Sequence, residues 1–291
     1  MSALPETPAG PSLPPAGSVR PEGPARWAPI SVVPAFVTAI AISAFGAILV
    51  GVVAGVAGTN LSADELPPAV TIASTVLQDV GFILGALLFA WLSGRPRGWY
   101  FGLNPPRSWS AAGWTALAYV GFFLFAAAWG VFLKLAFDYE APEDDLPSEL
   151  GADESTAALI AVAVLVCVLA PIAEEFFFRG YMFAALRNWK GVWPAALITG
   201  GVFGAIHLVS SEPAFIPPLM AFGVVLCLLY QHTGSLLPCI ALHATNNALA
   251  FGVTQSWTWQ IPVAILVSVT VALTLVWPFC SRSAARAVTA P

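Results

Sequence analysis

The sequence predicts an all-α fold, a polytopic bundle of about eight transmembrane helices that follows a disordered N-terminal tail. Three observations carry that expectation. The 291 residues are 58% hydrophobic and only 9% charged, whereas soluble domains carry about 25% charge. The apolar residues fall in stretches of about 20, long enough to cross a hydrocarbon core and apolar all round as lipid contact selects. The charges gather mostly in short segments between those stretches.

In chain order, residues 1–33 are rich in Pro, Gly and Ala, with prolines from Pro5 to Pro29 that remove donors and break helices. They read as a disordered cytoplasmic tail. No basic start with an uninterrupted apolar core precedes Pro34, so the first span is expected to serve as the anchor. Apolar windows follow near residues 34–58, 70–93, 111–136, 157–186, 192–209, 214–230, 235–252 and 258–279. Gly234 and Pro238 interrupt the pattern around the sixth and seventh, which makes one of those two a candidate re-entrant segment. The chain thus divides into the tail 1–33, N-terminal membrane helices 34–136, an acidic outer loop 137–156, a second membrane domain 157–280 and a cytoplasmic tail 281–291.

Orientation follows from the basic residues of the short loops. Arg20 and Arg26 precede the first span, Arg95, Arg97 and Arg107 follow the second, Arg187 and Lys190 the fourth, and Arg282 and Arg286 the eighth. The alternate loops hold Asp64, Glu65 and the acidic run from Asp138 to Glu154, with Lys134 as the nearby base. Both termini are therefore expected in the cytoplasm, with the plasma membrane as the location. The acidic run lacks the ordered D-x-D-x-D-G spacing of a calcium loop and reads as solvated. Cys167, Cys227, Cys239 and Cys280 are scattered without C-x-x-C spacing and read as small core residues.

Several function classes drop out. A net charge of −5 and a pI near 5.1 offer no basic surface, so nucleic acid is not an expected partner. G-x-S-x-G and glycine-rich phosphate loops are absent, which removes an ordinary serine hydrolase and a nucleotide site. What remains is a set of polar residues inside the apolar windows, the ionisable ones each costing at least about 2.5 kcal/mol to insert. Asp79, beside Gln78 in the second span, has no partner evident from sequence.

The fourth span holds Pro171-Ile-Ala-Glu174-Glu175-Phe-Phe-Phe-Arg179-Gly180. Glu175 and Arg179 are four apart, so they stack on one helix face and can pair, while Glu174 points about 100° away and is free to face another neighbour. A charge cluster that merely fixes helix packing is the bland alternative. The fifth span contains Phe203-Gly-Ala-Ile-His207 and the seventh His243-Ala-Thr-Asn246-Asn247. A lone intramembrane histidine is usually a packing residue; two of them, near a buried carboxylate pair, point to chemistry. His243 and Asn247 share a face, so an imidazole and an amide can address one bound atom. His232, at the Gln231–Gly234 turn, reads as interfacial. If the fourth and fifth spans turn near Asn188–Gly191, Glu174 lies about 20 to 22 Å and His207 about 24 to 26 Å from that turn, at similar depth. Gly200, Gly201 and Gly204 are expected to let those two helices approach closely.

Glu174-Glu175-x-x-x-Arg179, Phe203-x-x-x-His207 and His243-x-x-x-Asn247, in that order on separate spans, resemble the CPBP intramembrane proteases. That family includes the type II CAAX prenyl endopeptidases and the Abi or bacteriocin-processing proteins. The resemblance covers roughly residues 155–252 and leaves the first three spans outside. It implies an intramembrane endopeptidase with its catalytic domain at 157–280, in which Glu174 and His207 activate a water and His243 and Asn247 stabilise the oxyanion, with Glu175, Arg179 and Phe203 in support. Donors placed around a developing charge supply several kcal/mol, in keeping with those roles. The cofactor stays open. Glu174, His207 and His243 fit a His₂Glu zinc site with an open position, whereas the missing H-E-x-x-H favours a metal-free glutamate mechanism. The implied partners are the bilayer and a peptide or protein substrate, lipidated or not; lipid-facing and partner-facing surfaces look alike, so no oligomeric state is predicted. Two rivals are a non-catalytic binding or immunity-type membrane protein and a proton-coupled transporter, the latter disfavoured because the two halves show no inverted repeat.

Overall fold

The computed structural model describes residues 27–61, 66–106, 109–140 and 146–280. Among the described residues eight principal helices form the bundle: α1 Val32–Val56, α2 Pro68–Leu92, α3 Ser110–Phe137, α4 Thr156–Lys190, α5 Val192–Ile206, α6 Ile216–Thr233, α7 Leu237–Thr254 and α8 Gln260–Val276. No strand occurs among the described residues, so the all-α expectation holds. Residues 1–26 of the expected N-terminal tail, and the C-terminal tail 281–291, lie outside the described residues.

The last part of the expected N-terminal tail is structured. Pro29–Ser31 form a 3₁₀ turn that leads into α1. Trp27 is buried, its ring centroid 4.7 Å from Phe101 and 4.9 Å from Tyr181, and the Ser31 and Tyr181 hydroxyls bond at 2.7 Å. An indole and prolines suited to a first helical turn outweigh the breaking effect of the upstream prolines.

Tertiary contacts at the two ends fix an alternating up-down path. At one end, Asn104 donates to the Gly234 carbonyl at 3.0 Å, Leu236 N–H to the Gly102 carbonyl at 2.8 Å, and Arg187 to Gln231 at 2.8 Å. That end also carries Trp27, Arg95 and Arg97. At the other, Tyr139 donates to Glu212 at 2.7 Å and the Trp129 indole to the Ala214 carbonyl at 2.8 Å. The acidic segment at this second end is only partly solvated. Asp153 and Glu154 are exposed, but Pro147, Leu150 and Ala152 are buried, with Leu150 and Ala152 in a small apolar cluster with Val162 and Phe251.

Among the described residues, α1 to α6 and α8, with their terminal 3₁₀ turns, are long and apolar enough to cross a membrane. The seventh expected span forms a helix, α7, but does not join them. His243, Thr245, Asn246 and Asn247 reduce its hydropathy.

The glycine expectation needs correction. Gly200 and Gly204 face α6, not α4: a Cβ at Gly200 would come within 2.7 Å of the Met220 carbonyl and Val224 N, and one at Gly204 within 2.9 Å of Met220 N. Gly201 has nothing within 4 Å. Small residues do bring two membrane helices together, but the pair is α5–α6.

Candidate active site

Helix α4 is a 35-residue rod with two widened stretches, Leu165–Leu169 and Phe176–Phe183, where the backbone adopts π-helical bonding. Pro171 lacks the N–H that would serve the residue 167 carbonyl, and the first widening immediately before it accommodates that loss. Between the two lies one regular segment, Ala170–Glu175, which ends on the paired glutamates. Widened turns of this kind recur at functional sites because they re-aim side chains.

Glu175 is fully buried and accepts from two donors through one oxygen. Arg179 Nη1 lies 2.7 Å from Oε1, and His243 Nδ1 lies 2.8 Å from the same atom. Arg179 is itself fully buried; its Nη2 donates to the Gly223 carbonyl at 3.1 Å, and its guanidinium carbon stands 4.5 Å from the Phe203 ring centroid. A cation over an aromatic face is attracted by the ring quadrupole, the more so away from water. Arg179 thus ties α4 to α5 and α6, and Glu175 passes that anchorage to α7.

A carboxylate in an ion pair can only accept, so His243 Nδ1 carries the proton directed at Glu175. That leaves His243 Nε2 turned toward Glu174, 3.8 Å from its Oε2. Glu174 is 8% exposed, and its Oε2 is buried with no hydrogen-bond partner among the described residues. The two adjacent glutamates therefore do different things: Glu175 holds two donors on Oε1, while Glu174 turns an unpartnered Oε2 toward an imidazole; the second oxygen of Glu175 is also unpartnered among the described residues.

His207 closes α5. Its backbone N–H bonds to the carbonyls of Gly204 and Ala205 as the helix tightens, which releases the Phe203 carbonyl one turn back. The His207 ring takes that carbonyl, with Nδ1 at 2.8 Å, so the F-x-x-x-H spacing is an i, i+4 side-chain-to-backbone bond. Nε2 is left as the free ring nitrogen. Phe203 is central to the cluster. Its ring centroid is 5.1 Å from His207 and 5.8 Å from His243.

Asn247 lies one turn along α7 from His243, and its amide donates to the Val166 carbonyl, in the first widened stretch of α4, at 2.9 Å. One amide hydrogen is thereby spent on anchoring α7 to α4, and the second remains. Sequence reasoning missed two members of this neighbourhood. Phe222 packs edge-on against His243, with centroids 5.4 Å apart, and Gly223 supplies the carbonyl for Arg179. Both sit in a plain apolar run, and nothing in their spacing marks them.

Among the described residues no group of three or more His, Cys, Asp or Glu side chains stands close enough together to hold a metal ion. The three buried cysteines and the half-buried Cys280 are free.

Residues 156–249 match the family model of Rce1-like, type II CAAX prenyl endopeptidases. That bears out the resemblance read from the three motifs, all of which fall inside the matched segment. An uncharacterized 24.3 kDa protein of Escherichia coli is 31% identical over 142 residues, 47% of this chain and 60% of its own length. Uncharacterized protein YyaK of Bacillus subtilis (strain 168) is 35% identical over 96 residues, 31% of this chain and 32% of its own length. The chain thus covers 60% and 32% of these curated relatives. No solved structure matches it.

Proposed function

We propose that this integral membrane protein is an intramembrane endopeptidase that hydrolyses a peptide bond of a membrane-associated or lipidated peptide or protein. The family match over residues 156–249 implies CAAX-type protease activity. The observation that carries the reading to residues is the buried Arg179–Glu175–His243 chain, which holds an imidazole beside the unpartnered Oε2 of Glu174.

In this mechanism Glu174, assisted by the free Nε2 of His207, takes a proton from a water molecule as the water oxygen bonds to the scissile carbonyl carbon. The carbonyl oxygen becomes an oxyanion. His243 donates to it through Nε2–H, which requires protons on both ring nitrogens because Nδ1–H is engaged by Glu175; the Glu175 and Glu174 carboxylates balance Arg179 and that imidazolium. The second amide hydrogen of Asn247 is the other donor. Each such donor is worth about 10²–10³ in rate. The C–N bond then breaks, and Glu174 returns its proton to the departing amine, which restores the base.

The bundle end that carries Arg95, Arg97, Arg187 and Lys190 is the cytoplasmic one by the positive-inside rule. Trp27 and Phe279 lie at that end, which supports the reading that the chain enters and leaves the bundle from the cytoplasmic side, with the plasma membrane as the proposed location.

The test is cleavage of a library of membrane-tethered and lipidated peptides by protein reconstituted in liposomes. Wild type is expected to cleave, with Glu174→Gln slower by at least about 10³-fold. Equal cleavage by both would refute the reading. Activity is expected to survive a strong chelator; a loss that zinc restores would establish a metal enzyme instead.

A further inference from the structure

One ionisable residue of α2 enters the bundle and has no place in that mechanism. Asp79 is 5% exposed, and neither of its carboxyl oxygens meets a hydrogen-bond donor among the described residues. The packing of α2 shows what it faces. Phe82 lies 5.3 Å from Phe177 and 5.6 Å from Phe178, centroid to centroid. Helices α2 and α4 run the same way through the bundle, so one turn back from that contact along both stand Asp79 and Glu174. Helix α2 also packs directly on the Ala170–Glu175 segment that carries Glu174. Helix α1, the other element packed on α2, carries no ionisable side chain, and it meets the opposite side of α2, at Gly81 and Gly85.

Charge balance decides the form of Asp79. Glu174, Glu175, Arg179 and a doubly protonated His243 sum to zero. An ionised Asp79 would add an uncompensated charge, next to another carboxylate, in a medium where unpaired charges are expelled or neutralised. A proton on Asp79 removes the excess charge and creates the one donor that these unpartnered oxygens lack. Two neighbouring buried carboxyls holding one proton between them is the arrangement by which like groups avoid ionising together.

We propose that Asp79 is a positioning residue for Glu174: a neutral carboxyl that donates a hydrogen bond to it, directly or through one water, and so fixes the orientation of the oxygen that receives the proton from the attacking water. This rests on the reading of Glu174 as the base. The three family motifs do not include Asp79, and its partner comes from a different span, so spacing in the sequence could not pair them.

The experiment compares Asp79→Asn, which keeps a donor of the same shape, with Asp79→Leu, which keeps the branched outline without the donor, after both are shown to be folded by thermal unfolding in detergent. Asp79→Leu is expected to lower kcat by about 10²–10³ with KM unchanged, and Asp79→Asn to recover to within about 10-fold of wild type. Infrared spectroscopy supplies a readout independent of turnover: a protonated-carboxyl band at neutral pH in wild type that is absent from Asp79→Asn. A kcat for Asp79→Leu equal to that of wild type, or a wild type without that band, would overturn the proposal. A wild type that shows the band but cleaves no peptide supports the carboxyl pair and sinks the protease reading instead.

Discussion

Helices α3 and α4 are both long and apolar, yet they are built to opposite rules. Along α3 the large aliphatics face outward: Leu124 is 67% and Leu135 82% exposed, and only Ala111 and Phe122 are buried. Along the core of α4 the order reverses, with Glu175, Phe177, Phe178, Arg179 and Phe183 all at 0%. Water drives apolar side chains inward, but lipid is as apolar as leucine and gives them no such direction. In this bundle, burial is therefore decided by what lipid rejects, namely charge and the aromatic and small residues that enclose it. Hydrophobicity finds the helices; polarity finds the inside.

The largest consequence of that contrast lies at Arg179. Arg179→Met is expected to destabilise the protein by about 3–5 kcal/mol, because it leaves the buried glutamate pair with one uncompensated charge. It should also loosen the carboxylate that holds His243 and so reduce turnover. The double change Glu175→Gln with Arg179→Met is expected to regain much of the stability but not the activity, since an uncharged pair can pack where a lone carboxylate cannot. Denaturant titration of the detergent-solubilised protein measures both. A cost for the single change no greater than that of a lipid-facing substitution would erase the distinction between the two helices.

A smaller effect separates two neighbouring glycines of α5. Gly200→Ala drives a Cβ against backbone atoms of α6 at 2.7 Å, and backbone cannot step aside as a side chain can. A loss of about 1–3 kcal/mol is expected from this overpacking. Gly201→Ala meets nothing within 4 Å and should stabilise the helix by about 0.5–1 kcal/mol, the ordinary gain of alanine over glycine in a helix interior. The same denaturant titration, run on both variants, reads the difference in sign.

These glycines also show where sequence reading stops. Three candidates at close spacing were visible as a small-residue stripe, but which helix they face depends on the rotation of α5, and no apolar moment records that rotation when lipid surrounds the bundle. Motifs closed within one helix were legible, because i, i+4 spacing fixes geometry locally: Glu175 with Arg179, Phe203 with His207, and His243 on the face of Asn247. Links between helices were not. The bond from His243 to Glu175 rather than to Glu174 alone, the Gly223 carbonyl under Arg179, and Asn247 on the Val166 carbonyl all depend on helix depth and rotation. Depth itself is altered by the widened turns of α4, which shift every residue beyond them off the regular 100° step. The spans were readable to within a few residues for the same reason in reverse, since their ends are set by composition and by Gly or Pro.

The smallest expected effect belongs to the outer face of α3. Leu135→Ala should change stability by less than about 0.5 kcal/mol and leave turnover unaltered. A leucine that faces lipid in the folded bundle would face lipid equally in a separated helix, so its transfer energy cancels between the two states; helix propensity for the two residues is nearly the same. The measurement is the shift in unfolding midpoint after reconstitution in bilayers, where that cancellation applies. A loss of about 2 kcal/mol or more is what filling a packed protein site would give, and it would mean that another protein surface, not lipid, covers Leu135. In that event α3 would obey the rule of α4 after all, with its interior provided by a partner.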